Sequence, residues 1–375
     1  LQRMEEPSHN RTITVAEIIE FLEYLAPPAL AAPTAPFGLQ VGASLSPVET
    51  ILVSPLPTQR LFNAAPEGKT LLLTAAPLLS EPLSALRWDD PVGARVAFLI
   101  RKQVALYTLS CAFAAAPGGL DDCLAERLGL GGSRLLLSTA TEAQFKFVVF
   151  VPPADVEPVR RAACEAGAGV IGEYTHCSFR ASGMGTFFPQ EGANPTVGSV
   201  GKLVETEEVR LEMLVPEREL RSVAAAVLEA HPYEEVAYDI YPLRNPGMMY
   251  GRGRIGELPL EVSLETVLAQ VQDALELRSE QAVRCSHQTG QPVGVLAVAS
   301  GAAPGTELLQ AAQRQQAGVL VTGGAMLSDL ALAEDSDTVL VDVGFAPSVA
   351  PGLQRLVAQL RDTFGSERLH IAYVP

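Results

Sequence analysis

The sequence predicts an α/β protein with a two-lobed core and an inserted ferredoxin-like α+β domain, and three observations carry the prediction. Short apolar runs such as Thr50-Ile51-Leu52-Val53-Ser54 and Thr70-Leu71-Leu72-Leu73-Thr74, bounded by Pro and Gly, alternate with helical stretches. Runs of this kind suit strands covered on both faces of a largely parallel sheet. From Phe145 the order becomes strand, helix, strand, strand, helix, strand, the succession of a ferredoxin-like module. Past Met249 a second α/β series begins. The expected boundaries are 12–140 for the first half of the core, 143–246 for the insert and 250–375 for the second half.

In the first half, Thr14 precedes Val15-Ala16-Glu17, which predicts a helix capped by Thr14 with Glu17 completing a capping box. Ile18, Ile19, Phe21, Leu22 and Leu25 supply its buried stripe, and Pro27, Pro28 and Pro33 end it. The strands 50–54 and 70–74 follow, then a helix over 92–102 and a strand over 104–107.

The insert reads as a strand over 146–151 and a helix over 152–168, starting at Asp155 and closed by Gly167 to Gly169. Then come a strand over 174–180, a Gly/Pro-rich loop over 182–201, an alternating strand over 209–215, a helix over 217–230 and a strand over 235–241. In the second half a Gly-rich turn at 251–256 leads to a helix over 263–274. Strands at 293–298, 319–322 and 338–342, helices at 305–317 and 351–362, and a last strand near His370-Ile371-Ala372 complete it.

Composition narrows the functional classes. The 375 residues are 48% apolar and 19% charged, with 27 basic against 43 acidic side chains and a formal charge of −16. Such an excess of acid argues against nucleic acid as a partner, because that affinity comes from neutralising phosphates with Lys and Arg. The five cysteines are scattered without a C-x-x-C pair, the usage of a reducing compartment. Arg3, Glu5, Glu6, His9 and Arg11 near the start are unlike a secretion signal, and no apolar run is long enough to span a bilayer. A cytoplasmic protein without a membrane partner is expected.

Few segments carry recognisable chemistry. Gly251-x-Gly253-x-x-Gly256 has the spacing of a dinucleotide-binding fingerprint, yet Leu258-Pro259-Leu260 stands where its helix should begin, so a turn between domains competes. Gly301-Ala302-Ala303-Pro304-Gly305 lies between a strand and a helix and either holds an anion or simply turns the chain. His9, His176, His231, His287 and His370 form no ligand-spaced pair. Asp89-Asp90 and Asp121-Asp122 serve either a cation or helix N-termini. The densest polar cluster is His231-Pro232-Tyr233-Glu234-Glu235. Its His231, Tyr233 and Glu234 are candidate contacts for an anion or small ligand; the competing explanation is a packed Tyr233 beside solvated glutamates on an acidic sheet edge.

Several segments, in order from about Thr14 to the C-terminus, resemble the Nif-three-like family of dinuclear-metal hexameric proteins, the type-two GTP cyclohydrolase I homologues. They are Gly38-Leu39-Gln40-Val41-Gly42, Thr74-x-x-Pro77-Leu78-Leu79, Ala115-Ala116-Pro117-Gly118-Gly119-Leu120, Leu124-Ala125-Glu126-Arg127-Leu128-Gly129-Leu130, Gly253-Arg254-Ile255-Gly256, Thr322-Gly323 and Asp342-x-Gly344. The middle of the chain is similar to the PII- or CutA-type insert of longer members, through Gly183-Met184-Gly185-Thr186-Phe187, Gly198-x-x-Gly201 and the His231 cluster. The resemblance implies a Nif-three-like core, two divalent metal ions, metal-dependent hydrolase activity and ring-shaped homohexamers whose metal pairs face an inner cavity.

The ligand positions depart from that pattern. Where the family has Thr-His-His-Pro, this chain reads Thr74-Ala75-Ala76-Pro77; its Tyr-x-x-His-Thr-Asn-Leu-Asp corresponds to Tyr107 to Ala114. Gly-His-x-x-x-Glu is replaced by Gly344 to Val349, and Thr-Gly-Asp with its following His by Thr322-Gly323-Gly324 and Ser328. The resemblance thus puts the metal ligands at Ala75, Ala76, Ala114, Phe345 and Val349, none of which offers a donor atom. Apolar replacements spare an emptied site the cost, roughly several kcal/mol, of burying uncompensated carboxylates or imidazoles. No metal or other cofactor is expected, and the chain reads as a non-catalytic homo-oligomeric scaffold or ligand-binding regulatory protein with an unidentified small ligand or protein partner. The alternative is a metal-dependent hydrolase of GTP or another nucleotide or phosphoester, using relocated ligands such as Asp121, Asp122 or His176. Cys111, with Ser110, is a weaker nucleophile candidate, lacking an activating His or Lys in the matched segments.

Overall fold

The computed structural model describes residues 12–32, 35–278, 283–301, 304–365 and 367–375, with the backbone alone at Ser110. Among them the chain forms two compact units, one spanning Thr141–Met249 and the other the two flanking segments, 12–140 and 250–375.

The first flanking segment contains α1 (Val15–Leu25), β1 (Gly38–Val41), β2 (Thr50–Ser54), α2 (Gln59–Ala64), β3 (Thr70–Thr74), α3 (Pro91–Lys102), β4 (Val104–Thr108), α4 (Ser110–Ala115), α5 (Leu120–Arg127) and β5 (Arg134–Thr141). The capping box at Thr14 is present: the Glu17 carboxylate accepts from the Thr14 N–H at 2.8 Å, and the Thr14 hydroxyl accepts from the Glu17 N–H at 3.4 Å. Strands β2, β3 and β4 are buried along their whole length, which explains why they are apolar without alternation.

The smaller unit follows with β6 (Gln144–Val151), α6 (Val156–Glu165), β7 (Phe179–Phe187), β8 (Val204–Pro216), α7 (Leu220–Ala230) and β9 (Tyr238–Leu243). Its antiparallel sheet runs β7-β8-β6-β9, the ferredoxin-like arrangement. Phe147, Val149 and Val151 of β6 and Leu211, Met213 and Val215 of β8 meet Val159 of α6 and Val223 and Val227 of α7 in one buried cluster, so both helices cover the same face. One expectation is corrected here. The strand expected at 174–180 lies at Phe179–Phe187, inside what reads as a Gly-rich loop. Gly183 and Gly185 pair with Glu208 and Thr206 of β8, and this long-range ladder overrides the low strand propensity of glycine.

The second flanking segment comprises β10 (Met249–Val262), α8 (Leu264–Ala274), β11 (Arg284–Cys285), β12 (Val293–Ala299), α9 (Gly305–Arg314), β13 (Val319–Thr322), α10 (Leu327–Glu334), β14 (Val339–Asp342), α11 (Phe345–Phe364) and β15 (His370–Tyr373). The Gly-rich 251–256 stretch is not a turn but part of β10, so it cannot wrap a pyrophosphate before a helix. Close packing explains its composition: a Cβ on Gly251 would lie 2.0 Å from the Leu137 carbonyl oxygen. Helix α11 begins at Phe345 rather than 351 and carries Pro351 in its interior.

The larger unit holds two sheets, ordered β1-β4-β3-β2-β15 and β11-β14-β13-β12-β10-β5. The last strand, β15, pairs in parallel with β2 of the first half, while β5 belongs to the second-half sheet. Each half therefore contributes a strand to the other's sheet. Helix α11 carries the chain back, burying Leu353, Leu356 and Leu360 with Ile18, Leu22, Ile51 and Leu71. Among the described residues no helix is long and apolar enough to cross a membrane.

Candidate functional site

In α/β sheets ligands gather beyond the carboxyl ends of parallel strands, where turns and helix N-termini converge. In the larger unit β3 and β4 end at the register partners Thr74 and Thr108, and β13 and β14 at Thr322 and Asp342. Beyond these ends stand the five positions singled out by the resemblance. Ala75 and Ala76 follow β3, Ala114 lies on α4, and Phe345 and Val349 open α11 after Gly344, whose φ of +83° suits glycine.

Packing brings most of them together as hydrocarbon. Ala75, Ala114 and Val349 are 5%, 3% and 0% exposed and share one cluster with Ala112, Phe113 and Leu120, against which Phe345 packs. Ala76 is half-buried at the edge. Gly301 closes the group, since a Cβ there would sit 3.7 Å from the Phe345 ring and 4.0 Å from a Val349 methyl. Its N–H donates to the Ser348 hydroxyl at 3.0 Å, which donates to the Phe345 carbonyl at 2.7 Å.

Buried hydroxyls frame this cluster. The side-chain oxygens of Thr74, Thr108 and Thr322 are enclosed without hydrogen-bond partners, as is that of Tyr107, whose pKa burial pushes up. Dinuclear centres are built from carboxylates and imidazoles, and neutral hydroxyls beside methyl groups do not replace them. The residues at these positions do not fit a metal pair. Among the described residues, no group of three or more His, Cys, Asp or Glu side chains is arranged to hold a metal ion.

The two carboxylates named as relocated ligands are already engaged within the larger unit. Asp121 is fully buried, and its oxygens accept from the Ser300 N–H and hydroxyl and from the Gly253 N–H. Asp122 accepts from Arg254 at 2.8 Å and from the Gly118 N–H at 2.8 Å. His176 is an exposed residue of the smaller unit with a φ of +59°. Asp90 caps α3 through the Gly93 N–H, and Asp89 pairs with Arg87. His287 contacts Ser286, and His370 opens β15. The Cys111 sulfur accepts from the Ala32 N–H at 3.3 Å. The Ser110 side chain, His9, Ala302 and Ala303 lie outside the described residues.

The smaller unit contains the other candidate. A cavity of about 620 Å³ opens on the sheet, between the β7–β8 hairpin loop and the segment after α7, with Tyr233 and Glu234 in its lining. His231 sits beneath it, with no ring nitrogen left for a ligand. Its Nδ1 accepts from the Tyr233 N–H at 3.1 Å, so the proton is on Nε2, which donates to the Phe150 carbonyl at 3.0 Å. Burial lowers its pKa. Its ring spans the Tyr233 N–H and the Phe150 carbonyl, next to two residues of the cavity lining. Glu234 accepts from the Asn194 N–H at 2.8 Å, and the Thr196 hydroxyl donates to the Pro232 carbonyl at 3.1 Å, tying the two rim segments together. Of the residues singled out in the sequence, Tyr233 and Glu234 line this cavity; the opposite wall was not singled out as a site because Gly183 and Gly185 read as loop.

Comparison with known proteins agrees with this architecture. The family model described as Duf34/NIF3 (NGG1p interacting factor 3) matches residues 13–374. A "GTP cyclohydrolase 1 type 2 homolog" of Halalkalibacterium halodurans is 36% identical over 307 residues, 82% of this chain and 81% of that protein. One from Mycobacterium tuberculosis is 34% identical over 356 residues, 95% and 93% of the two chains. The crystal structure of a Bacillus cereus protein related to NIF3 superposes with a TM-score of 0.85 at 33% identity, covering 97% of both chains.

Proposed function

The chain belongs to the Duf34/NIF3 family, and from that premise we propose that it is a metal-free member: a non-catalytic, homo-oligomeric scaffold whose insert binds a ligand. One observation carries the reading. The positions at which the family resemblance implies metal ligands hold Ala75, Ala76, Ala114, Phe345 and Val349, and three of these are buried in a single hydrophobic cluster. A lone substitution would leave a partial site. Replacement of every donor by hydrocarbon removes the Lewis acid and the metal-bound water that hydrolysis of GTP would require.

Asp121 and Asp122 support the same conclusion, because both carboxylates serve internal hydrogen bonds. A cytoplasmic location suits the five free thiols. The homohexamer rests on family resemblance and is checked by light scattering, which should give a mass of several chains rather than one.

The deciding test is metal analysis of protein purified without chelator, paired with an assay of GTP turnover with and without added zinc, iron or manganese. Substoichiometric metal and no divalent-dependent turnover are expected. Stoichiometric metal that survives dialysis overturns the proposal.

A further inference from the structure

Resting on the reading of the insert as a ligand-binding module, we propose that the cavity in the smaller unit takes an organic cation with a flat apolar body, of the aromatic amine or amidine class. Its volume of about 620 Å³ falls within the range of small-molecule sites. Shape argues for a flat ligand. The floor is the sheet face turned away from the helices, and β7 presents Ala181, Gly183 and Gly185 to it. A Cβ built on Gly183 would meet nothing within 4 Å, so bare backbone is exposed to the cavity there. Phe150, Phe187 and Tyr233 supply aromatic walls. The enclosed Tyr233 hydroxyl stands beside the Glu208 carboxylate, and burial together with that negative charge raises its pKa, so it meets the cavity as a neutral phenol next to an acidic group.

Charge argues for a cation. The lining holds Glu208, Glu234 and Glu235 against a single Arg210, and Arg210 is already paired with Glu212 at 2.9 Å. The Glu208 carboxylate lies directly over Gly185, where a Cβ would come within 2.3 Å of it. Carboxylates at the mouth of an apolar cavity focus a negative potential. A cation seated on Phe150 or Tyr233 would gain from the ring faces as well. The same acidic lining disfavours the anion that the sequence left as one option for this cluster.

The test titrates the full chain at low salt with a planar dicationic diamidine, 4′,6-diamidino-2-phenylindole, and with the anionic probe 8-anilinonaphthalene-1-sulfonate, following fluorescence. The diamidine should bind, weaken about tenfold or more in Gly183→Leu, which fills the floor, and weaken comparably in Glu208→Gln/Glu234→Gln, which adds no volume. Should Gly183→Leu fail to fold, the glutamine pair still decides. Binding of the anionic probe alone, sensitive to Gly183→Leu, overturns the cationic class while leaving a ligand-binding insert. If neither probe responds to either variant, the class and the ligand-binding reading of the insert both fall.

Discussion

Ser300 donates twice to a single oxygen of Asp121, from its N–H at 2.7 Å and its hydroxyl at 2.5 Å. The second oxygen accepts from the Gly253 N–H at 2.6 Å. One buried carboxylate on α5 thereby holds β10 and the end of β12, which lie far downstream in the chain. Asp121→Ala would strand two backbone donors and a hydroxyl, and we expect a loss of about 3–5 kcal/mol in urea unfolding, with Asp121→Asn intermediate. An unchanged unfolding midpoint in Asp121→Ala would show that the carboxylate does not brace the core.

Val349 tests the apolar closure directly. It is 0% exposed among hydrocarbon side chains, so Val349→Glu places a charge with no partner in the core. A loss of about 3 kcal/mol or more is expected, against roughly 1–2 for Val349→Ala. Equal costs for the two variants would mean that the position is hydrated, and the case against a polar centre would weaken.

Gly323 allows no side chain. A Cβ there would lie 1.9 Å from the Ser348 oxygen and 2.8 Å from the Gly301 carbonyl oxygen. Gly323→Ala should cost about 1–3 kcal/mol and lower the melting temperature, through displacement of the loop that Ser348 anchors.

His231 predicts a pH dependence. Burial lowers its pKa from the ordinary 6.5, outweighing the Phe150 hydrogen bond and the negative charges of Asp155 and Glu208. The unfolded chain therefore binds a proton more readily than the folded one. The stability contributed by neutral His231 is full above about pH 6.5, declines as pH falls, and is lost once pH passes below the depressed folded value. Protonation would also set an Nδ1 proton against the Tyr233 N–H. Unfolding measured between pH 7.5 and 5 should lose stability in the wild type, with the slope reduced in His231→Gln. Parallel profiles for the two proteins would remove His231 as the cause.

The α/β class and the ferredoxin-like insert were legible in the sequence because hydrophobic spacing reports burial, and β2, β3 and β4 are buried throughout their length. The capping box at Thr14 was legible because its donors and acceptors lie within one turn. The resemblance also marked Ala75, Ala76, Ala114, Phe345 and Val349, whose lack of donor atoms is a property of residue type alone. Tertiary structure decided what depends on distant partners. Gly183 and Gly185 became strand only through pairing with β8, and the Gly251 segment became strand through the place of β10 between β12 and β5, where Leu137 leaves no room for a Cβ at Gly251. Asp121 and Asp122, open to a cation or a cap when read locally, were claimed by Ser300, Gly253 and Arg254. Periodicity encodes which side of an element is buried; it does not encode what that side meets, and both the braced carboxylate and the acidic cavity are made by such meetings.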